Sequence, residues 1–278
     1  MAEVSVTEKE LNIAKRLAVD AGAILLNYYK EGVSVDWKAP DDPVTAADRD
    51  ASDLIVSSLK NEFPEHGILC EEEPDDLVRL ERRYVWMIDP MDGTREFIAH
   101  RDEFAVQIGL VFRGIPVLGV VYQPTNNKLY YAAQGLGAFL AIDDSVTQLH
   151  VSPETVAAQL KIAESRSHRS ARVDAIRQRL RIAESVLMGS VGLKIGLVCE
   201  GLAHLYVHTG PRTHLWDTCG PEAILREAGG RMTDVSNAPL RYDTPEVKNL
   251  RGIVATNGAI HDRVVNVTQT VLESFSKK

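Results

Sequence analysis

The acidic residues of this chain are spaced as ligands of a hard cation would be. In the stretch Tyr84–Phe97, YVWMIDPMDGTREF, an apolar run ends in Asp89 and Asp92, three positions apart, with Gly93 and Thr94 directly after. Pro90 fixes its own φ and lacks an N–H, which predicts that the strand stops at Asp89, and Asp92-Gly93 is turn chemistry. Such a turn can aim both carboxylates and the intervening Met91 carbonyl at one point, and three converging oxygens suit an ion such as Mg2+. Two other acidic motifs fail on spacing. An Asp-x-Asp-x-Thr nucleophile motif needs acids two apart, and an EF-hand counted from Asp89 needs Glu where His100 stands.

Further carboxylates sit at comparable places. Glu71, Glu72 and Glu73 follow the strand-like HGILC, Asp48 lies in the first turn of a helix opened by Thr45, and Asp217 follows Trp216 at the start of another helix. Acids at helix starts also serve as caps, Asp-Gly after a strand is also an ordinary turn, and a run of glutamates is also a solvated face. Together, however, strand-end and helix-start acids recur beside apolar sequence. Buried as a group they would need cations to neutralise them.

The elements that must position these groups are legible from periodicity and punctuation. Thr7 and Glu10 form a capping-box pattern ahead of a stripe Leu11, Ala14, Ala18, Ala21, Leu25, Tyr28, and Gly32 supplies a stop. VSVDWK alternates like a strand, APDDPVTAAD reads as a turn, and a helix is expected over Ala46–Glu62. FAVQIGLVFRGIPVLGVVYQP reads as two strands joined at Arg113-Gly114, and KLYYAAQGLGAFLAI adds more. Beyond about residue 147 strands and helices alternate: LKIAES, ARVDAIRQRL, GSVGLKIGLVCEG, AHLYVH, WDTCGPEAILREAGG, RGIVATN and a last helix from AIHDRVV onward. The expected organisation is a β-rich α+β lobe over 1–147 and an α/β lobe over 148–278, without a flexible linker.

The chain has 278 residues, 45% apolar and 25% charged, with a formal charge of −8. That balance fits a globular protein and disfavours duplex nucleic acid, whose phosphates want a basic face. A small anionic metabolite is not disfavoured, because local cations can reverse the field at a site. Cys70, Cys199 and Cys219 are too few and scattered for a disulfide framework or a thiolate zinc site. A polar, acidic beginning and the lack of an apolar run of about 18 residues lead to the expectation of a cytoplasmic protein with no membrane partner.

The combination and order of four motifs, the TAAD around Asp48, the EE at Glu71–Glu72, DPMDGT, and WD ahead of EAGG, resembles the inositol monophosphatase superfamily of Mg2+-dependent, lithium-sensitive phosphomonoesterases. The resemblance covers most of the chain and implies a layered α-β-α-β-α sandwich. DGTREF, SRSH (Ser165–His168) and GSVGLK are most similar to the 3′(2′),5′-bisphosphate nucleotidase branch. WDTCGPE departs from the commoner Trp-Asp-x-Ala-Ala-Gly while keeping the aspartate, and Pro221 is expected in a first helical turn. By this resemblance Glu71, Asp89 and the Met91 carbonyl hold one Mg2+, Asp89, Asp92 and Asp217 a second, and Asp48 with Glu71 a weaker third, with Li+ as an inhibitor.

The chemistry implied is hydrolysis of adenosine 3′,5′-bisphosphate to AMP by water activated between two ions. Thr94 would orient that water, and Asp48 or Glu71 would accept its proton. The main-chain N–H groups of Gly93, Thr94, Gly189 and Ser190 are candidate phosphate donors. Ser165, Arg166, His168, Lys194 and Arg212 are candidate contacts to the rest of the nucleotide, beside Asp217, and Glu72 and Glu96 are expected to support the site or to be solvated. An inositol monophosphatase or a broad-specificity fructose-1,6-bisphosphatase of the same superfamily, and a non-catalytic metal- or phosphate-binding protein, are the alternative readings. Both monomers and homodimers are compatible with the resemblance.

Overall fold

The computed structural model describes residues 8–32, 35–39 and 42–276. In its first half α1 spans Glu8–Glu31, β1 Val35–Ala39, β2 Asp42–Thr45, α2 Ala46–Glu62, β3 Gly67–Cys70, β4 Tyr84–Asp92 and α3 Thr94–Ile98. Five strands follow: β5 Ala105–Phe112, β6 Ile115–Gln123, β7 Lys128–Ala133, β8 Gly137–Ile142 and β9 Ser145–Leu149. The second half comprises β10 Lys161–Ser165, α4 Ala171–Leu180, β11 Glu184–Met188, α5 Val191–Cys199, β12 Leu205–His208, α6 Leu215–Glu227, β13 Arg231–Thr233, β14 Ile253–Thr256 and α7 His261–Ser276.

Strands β3 to β9 form one sheet in sequence order, antiparallel throughout except for the parallel β3–β4 pair. The second sheet has the order β11-β10-β12-β14-β13, with β10 parallel to both its neighbours. Three apolar clusters define the layers. The stripe of α1 (Leu11, Ala14, Ala18, Ala21, Leu25) and that of α2 (Ala47, Ala51, Ile55, Leu59) cover one face of the first sheet. Helices α5 and α6 fill the space between the two sheets, and α4 and α7 cover the outer face of the second. The result is an α-β-α-β-α sandwich, whose central cluster draws residues from both sheets.

The middle layer is seated unusually close to the first sheet. A Cβ added to Gly119 of β6 would lie 2.0 Å from the Gly220 carbonyl oxygen in α6, and one added to Gly109 of β5 would lie 2.7 Å from the Gly220 nitrogen. Three glycines therefore let α6 rest on the sheet backbone, which brings its first turn, with Asp217, over the end of β4.

Several sequence expectations change in detail. Thr7 lies outside the described residues. The APDDPVTAAD segment includes a strand, β2, paired with β1 and leading directly into α2. β4 does not stop at Asp89: it continues to Asp92 through an irregularity between the Asp89–Gln107 and Asp92–Ala105 pairs. Pro90 lies where the ladder is interrupted, so its missing N–H is not required there. Pro221 lies in the interior of α6 and not in its first turn, so its absent N–H removes the usual helical partner of the Asp217 carbonyl. The short elements α3, β11 and β13 were not anticipated; each is five residues or fewer, too short for a periodic signal.

Candidate active site

Four elements deliver the acids. The parallel register of β3 and β4 ends at Cys70–Ile88, and the Glu71 N–H still donates to the Ile88 carbonyl at 3.1 Å, so Glu71 stands beside Asp89. At the irregularity of β4 the Met91 N–H donates to Asp89 Oδ1 at 2.9 Å, which folds the turn back on its own carboxylate. Asp92 is held from the opposite side: its Oδ2 accepts from Gln107 Nε2 at 2.5 Å, Ser190 Oγ at 2.5 Å and the Gly192 N–H at 3.0 Å. Gly93, at φ 103°, then turns the chain into α3.

Asp48 and Asp217 each cap a helix and also face this turn. The Thr45 N–H and hydroxyl both donate to Asp48 Oδ2 at 2.7 Å, while Asp48 Oδ1 accepts from Thr94 Oγ1 at 3.4 Å. The Thr94 hydroxyl also lies 3.2 Å from the Met91 carbonyl. Asp217 Oδ2 accepts the His214 N–H at 2.8 Å at the start of α6, and the His214 ring stacks on Trp216 with centroids 4.6 Å apart.

The charges of these acids act on one another. Burial and then the charges of Glu71, Asp92 and Asp217 push the Asp89 carboxyl well above its usual range, and Asp217 is also its hydrogen-bond neighbour. Burial and the Asp217 charge push Asp92 up to about 6, against the opposing pull of Lys194, Ser190 and Gly192. Burial alone would lower His214, but the hydrogen bond and charge of Asp217 leave it raised. Among the described residues no three His, Cys, Asp or Glu side chains yet converge on one ion position; Asp92, Asp48 and Asp217 instead accept from protein donors. The donor set nevertheless fits a divalent cation. Its atoms are hard oxygens, and buried like charges of this density need a positive charge among them.

The second sheet is clasped to this turn by residues whose roles sequence reasoning did not identify. Glu96, only 4% exposed, accepts a short hydrogen bond from the Ser167 hydroxyl, and Gly189 packs so closely that a Cβ there would meet the Glu96 side chain. Glu103 pairs with Arg166 through contacts of 2.5–3.0 Å, while its main-chain carbonyl accepts the Ser190 N–H at 3.1 Å. Glu96 is therefore not solvated, and the Ser190 N–H is committed to Glu103 and is no free phosphate donor. Arg166 is likewise tied up, donating also to the Leu187 carbonyl at 3.1 Å. Gln107 was missed as well, although a glutamine inside the otherwise apolar FAVQIGLVF is a visible signal.

Lys194 is buried and donates to the carbonyls of Met188 and Gly189, with its ammonium 5.1 Å from the Tyr206 ring. Burial lowers it to about 8 although Asp92, Glu96 and Glu103 pull upward. It lends positive charge to the site from beneath. Ser165, His168 and Arg212 lie together on the wall of a cavity of about 370 Å3; Ser165 Oγ accepts the His168 N–H, and Arg212 Nη1 lies 3.1 Å from His168 Nδ1.

The inositol monophosphatase family model matches residues 7–273. The chain belongs to the inositol monophosphatase family. It is 36% identical over 236 residues to the 3′(2′),5′-bisphosphate nucleotidase CysQ of Escherichia coli K12, covering 83% of this chain and 93% of that protein. Its identity to the CysQ of Haemophilus influenzae Rd is 34% over 245 residues, covering 87% and 91%. A solved structure of CysQ from Bacteroides thetaiotaomicron, described as a bacterial member of the inositol monophosphatase family, superposes with TM-score 0.76 at 33% identity over 90% of this chain and 98% of that one. The Thermotoga maritima inositol monophosphatase superposes with TM-score 0.80 at 27% identity over 96% and 99%. No helix of the described residues is long and apolar enough to cross a membrane.

Proposed function

We propose that this member of the family is a Mg2+-dependent phosphomonoesterase that removes the 3′-phosphate of adenosine 3′,5′-bisphosphate to give AMP. The relatives at 34–36% identity that carry the name 3′(2′),5′-bisphosphate nucleotidase support the substrate class. The observation that carries the chemistry is that Glu71, Asp92 and Asp217, from three separate elements, lie within electrostatic range of the buried Asp89 carboxyl, with Asp217 its hydrogen-bond neighbour. In this reading Glu71, Asp89 and the Met91 carbonyl would hold one ion, Asp89, Asp92 and Asp217 another, and Asp48 with Glu71 a weaker third. When bound, the ions supply Lewis acidity toward the phosphate oxygens and toward the attacking water.

The protein's own groups then divide the remaining work. The Thr94 hydroxyl, between Asp48 Oδ1 and the Met91 carbonyl, orients the attacking water. Asp48 is the better placed proton acceptor, because its Oδ1 faces Thr94 while its Oδ2 is committed to Thr45. Glu71 would be drawn into ion binding. Gly93 and Thr94 offer main-chain donors to the scissile phosphate, and Arg212 and His168 hold the distal part of the nucleotide. Lys194 acts through its charge, and Arg166 and Ser190 through their contacts with Glu103 and Asp92. Li+ is expected to inhibit by taking the place of one Mg2+.

Steady-state phosphate release measured with adenosine 3′,5′-bisphosphate and with inositol 1-phosphate, each with excess Mg2+ and with a chelator, tests the proposal. A higher kcat/KM for the nucleotide and loss of turnover on chelation are expected. A clear preference for inositol 1-phosphate overturns the substrate assignment, and turnover that survives chelation overturns the metal assignment.

A further inference from the structure

Asp48, Asp89, Asp92 and Asp217 share one arrangement: each has an oxygen already engaged by a protein donor. Asp48 Oδ2 accepts from the N–H and hydroxyl of Thr45, Asp89 Oδ1 from the Met91 N–H, and Asp217 Oδ2 from the His214 N–H. Those donors belong to helix caps and to the turn of β4, so local geometry supplies them. Asp92 differs. Its Oδ2 accepts from Gln107 Nε2, Ser190 Oγ and the Gly192 N–H together, donors that arrive from β5 and from the start of α5. A carboxylate oxygen has about two lone pairs, so this oxygen is filled. Oδ1 is left as the oxygen that Asp92 can offer to an ion.

Gln107 is the donor that no cap or turn requires. It is fully buried in β5, between Val106 and Ile108 in an otherwise apolar strand, and lies opposite Asp89 in the ladder with β4. Its Oε1 has no hydrogen-bond partner among the described residues, so burying this amide costs stability. The first turn of α5 holds it in place. A Cβ on Gly192 would lie 3.0 Å from both Gln107 Cδ and Gln107 Oε1. The Ser190 hydroxyl, which donates to Asp92, in turn accepts the Leu193 N–H at 3.1 Å. Neither side chain can leave Asp92 Oδ2 without disturbing the seat of α5.

We propose that Gln107 is a positioning residue that sets cation selectivity: with Ser190 and Gly192 it occupies one oxygen of Asp92, so that this carboxylate takes an ion through a single oxygen and the site favours Mg2+ over the larger Ca2+. Ca2+ takes about six to eight oxygens in a flexible shell and accepts both oxygens of a carboxylate, whereas Mg2+ demands near-octahedral geometry and suits ligands that each give one oxygen. The engaged oxygens of Asp48, Asp89 and Asp217 act in the same direction. Gln107 is the member of this set that can be changed without removing a ligand, a cap or a main-chain donor. The inference rests on the metal reading of the proposed function and adds a residue that chooses between ions.

The test is the midpoint of thermal unfolding of the chelator-stripped full chain, titrated with MgCl2 and separately with CaCl2 at fixed ionic strength. The rise in midpoint gives an apparent affinity for each ion without reference to turnover. The wild type is expected to bind Mg2+ more tightly than Ca2+. Gln107→Met should lower the ratio of the two affinities by about tenfold, mainly through weaker Mg2+ binding, because loss of a residue that orients a metal ligand costs about 10–100-fold in affinity. Ser190→Ala should move the ratio in the same direction. A merely structural role for Gln107 would lower the metal-free midpoint, or weaken both ions alike, and leave the ratio where it was; that result overturns the proposal, as does a wild type that prefers Ca2+. If Gln107→Met fails to fold, the ratio in Ser190→Ala decides the matter in the same way. Failure of the parent reading looks different: a wild type whose midpoint responds to neither ion refutes the metal assignment, and this inference with it.

Discussion

Replacing Gly119 with alanine should disable the site from a position that touches no substrate. The new Cβ would lie 2.0 Å from the Gly220 carbonyl oxygen, 2.8 Å from its carbon and 3.0 Å from its Cα, all main-chain atoms that no rotamer change can remove. Ordinary contact begins at 3.4 Å, so helix and strand must part by about 1.4 Å. α6 carries Asp217 three residues before Gly220, and that carboxylate moves with it. Overpacking of this kind costs about 1–3 kcal/mol, and a displacement of about 1 Å at a reacting centre costs on the order of 100-fold in rate. The same geometry predicts a ranking. Gly109→Ala, whose Cβ would lie 2.5 Å from Cys219 Sγ and 2.7 Å from the Gly220 nitrogen, should be intermediate; Gly220→Ala, 3.1 Å from the Ile108 oxygen, should be mildest. Urea denaturation and Mg2+-dependent phosphate release on the three purified variants provide the assay. A Gly119→Ala protein with an unchanged midpoint and kcat/KM within about threefold of wild type would refute the view that close seating of α6 places Asp217.

Three further outcomes follow from the same structure. Asp89→Asn should lower turnover by at least about 100-fold yet raise the midpoint of thermal unfolding in chelator, because it removes a carboxyl whose ionisation burial and the neighbouring acids oppose; a lowered midpoint would contradict the electrostatic account. Glu103→Gln weakens the pairing with Arg166 and should raise KM by about tenfold with a smaller change in kcat, as expected when binding is lost more than chemistry; unchanged kinetics would remove the clasp from the mechanism. Glu222, buried in α6 and accepting the Tyr242 hydroxyl at 2.6 Å, is pushed by burial from its ordinary 4.5 up to about 7. Because the folded value is the higher one, its contribution to stability is complete below about pH 4.5 and is lost as pH rises through 7. The stability of Glu222→Gln relative to wild type should therefore rise by about 3 kcal/mol between pH 4 and pH 8.5, and parallel stability–pH curves would show that this carboxyl does not titrate as described.

What was legible in the sequence is what local geometry dictates. α2 is framed by Thr45 and by a stripe of small and branched residues, and the β5–β6 hairpin by Arg113-Gly114; both form where expected. The acids were legible for a related reason: Glu71 and Asp92 sit at strand ends, Asp48 and Asp217 in first helical turns, and Asp89 beside Pro90 where the β4 ladder is interrupted, places that sequence marks. Capping and function appeared as rival explanations of Asp48, but its two oxygens separate them, one bound to Thr45 and the other facing Thr94. Capping fixes the side chain to which the proposed chemistry gives the proton, so the local signal also points to the candidate site. No such marker exists for the clasp. Ser167 finds Glu96 across 71 positions and Arg166 finds Glu103 across 63, and those pairings decide that the Ser190 N–H and the Arg166 guanidinium serve the protein while His168 and Arg212 line the cavity. A motif such as SRSH can thus show that a loop matters without showing which of its side chains face the ligand. That assignment depends on contacts between sheets, which form only once α5 and α6 have packed between them.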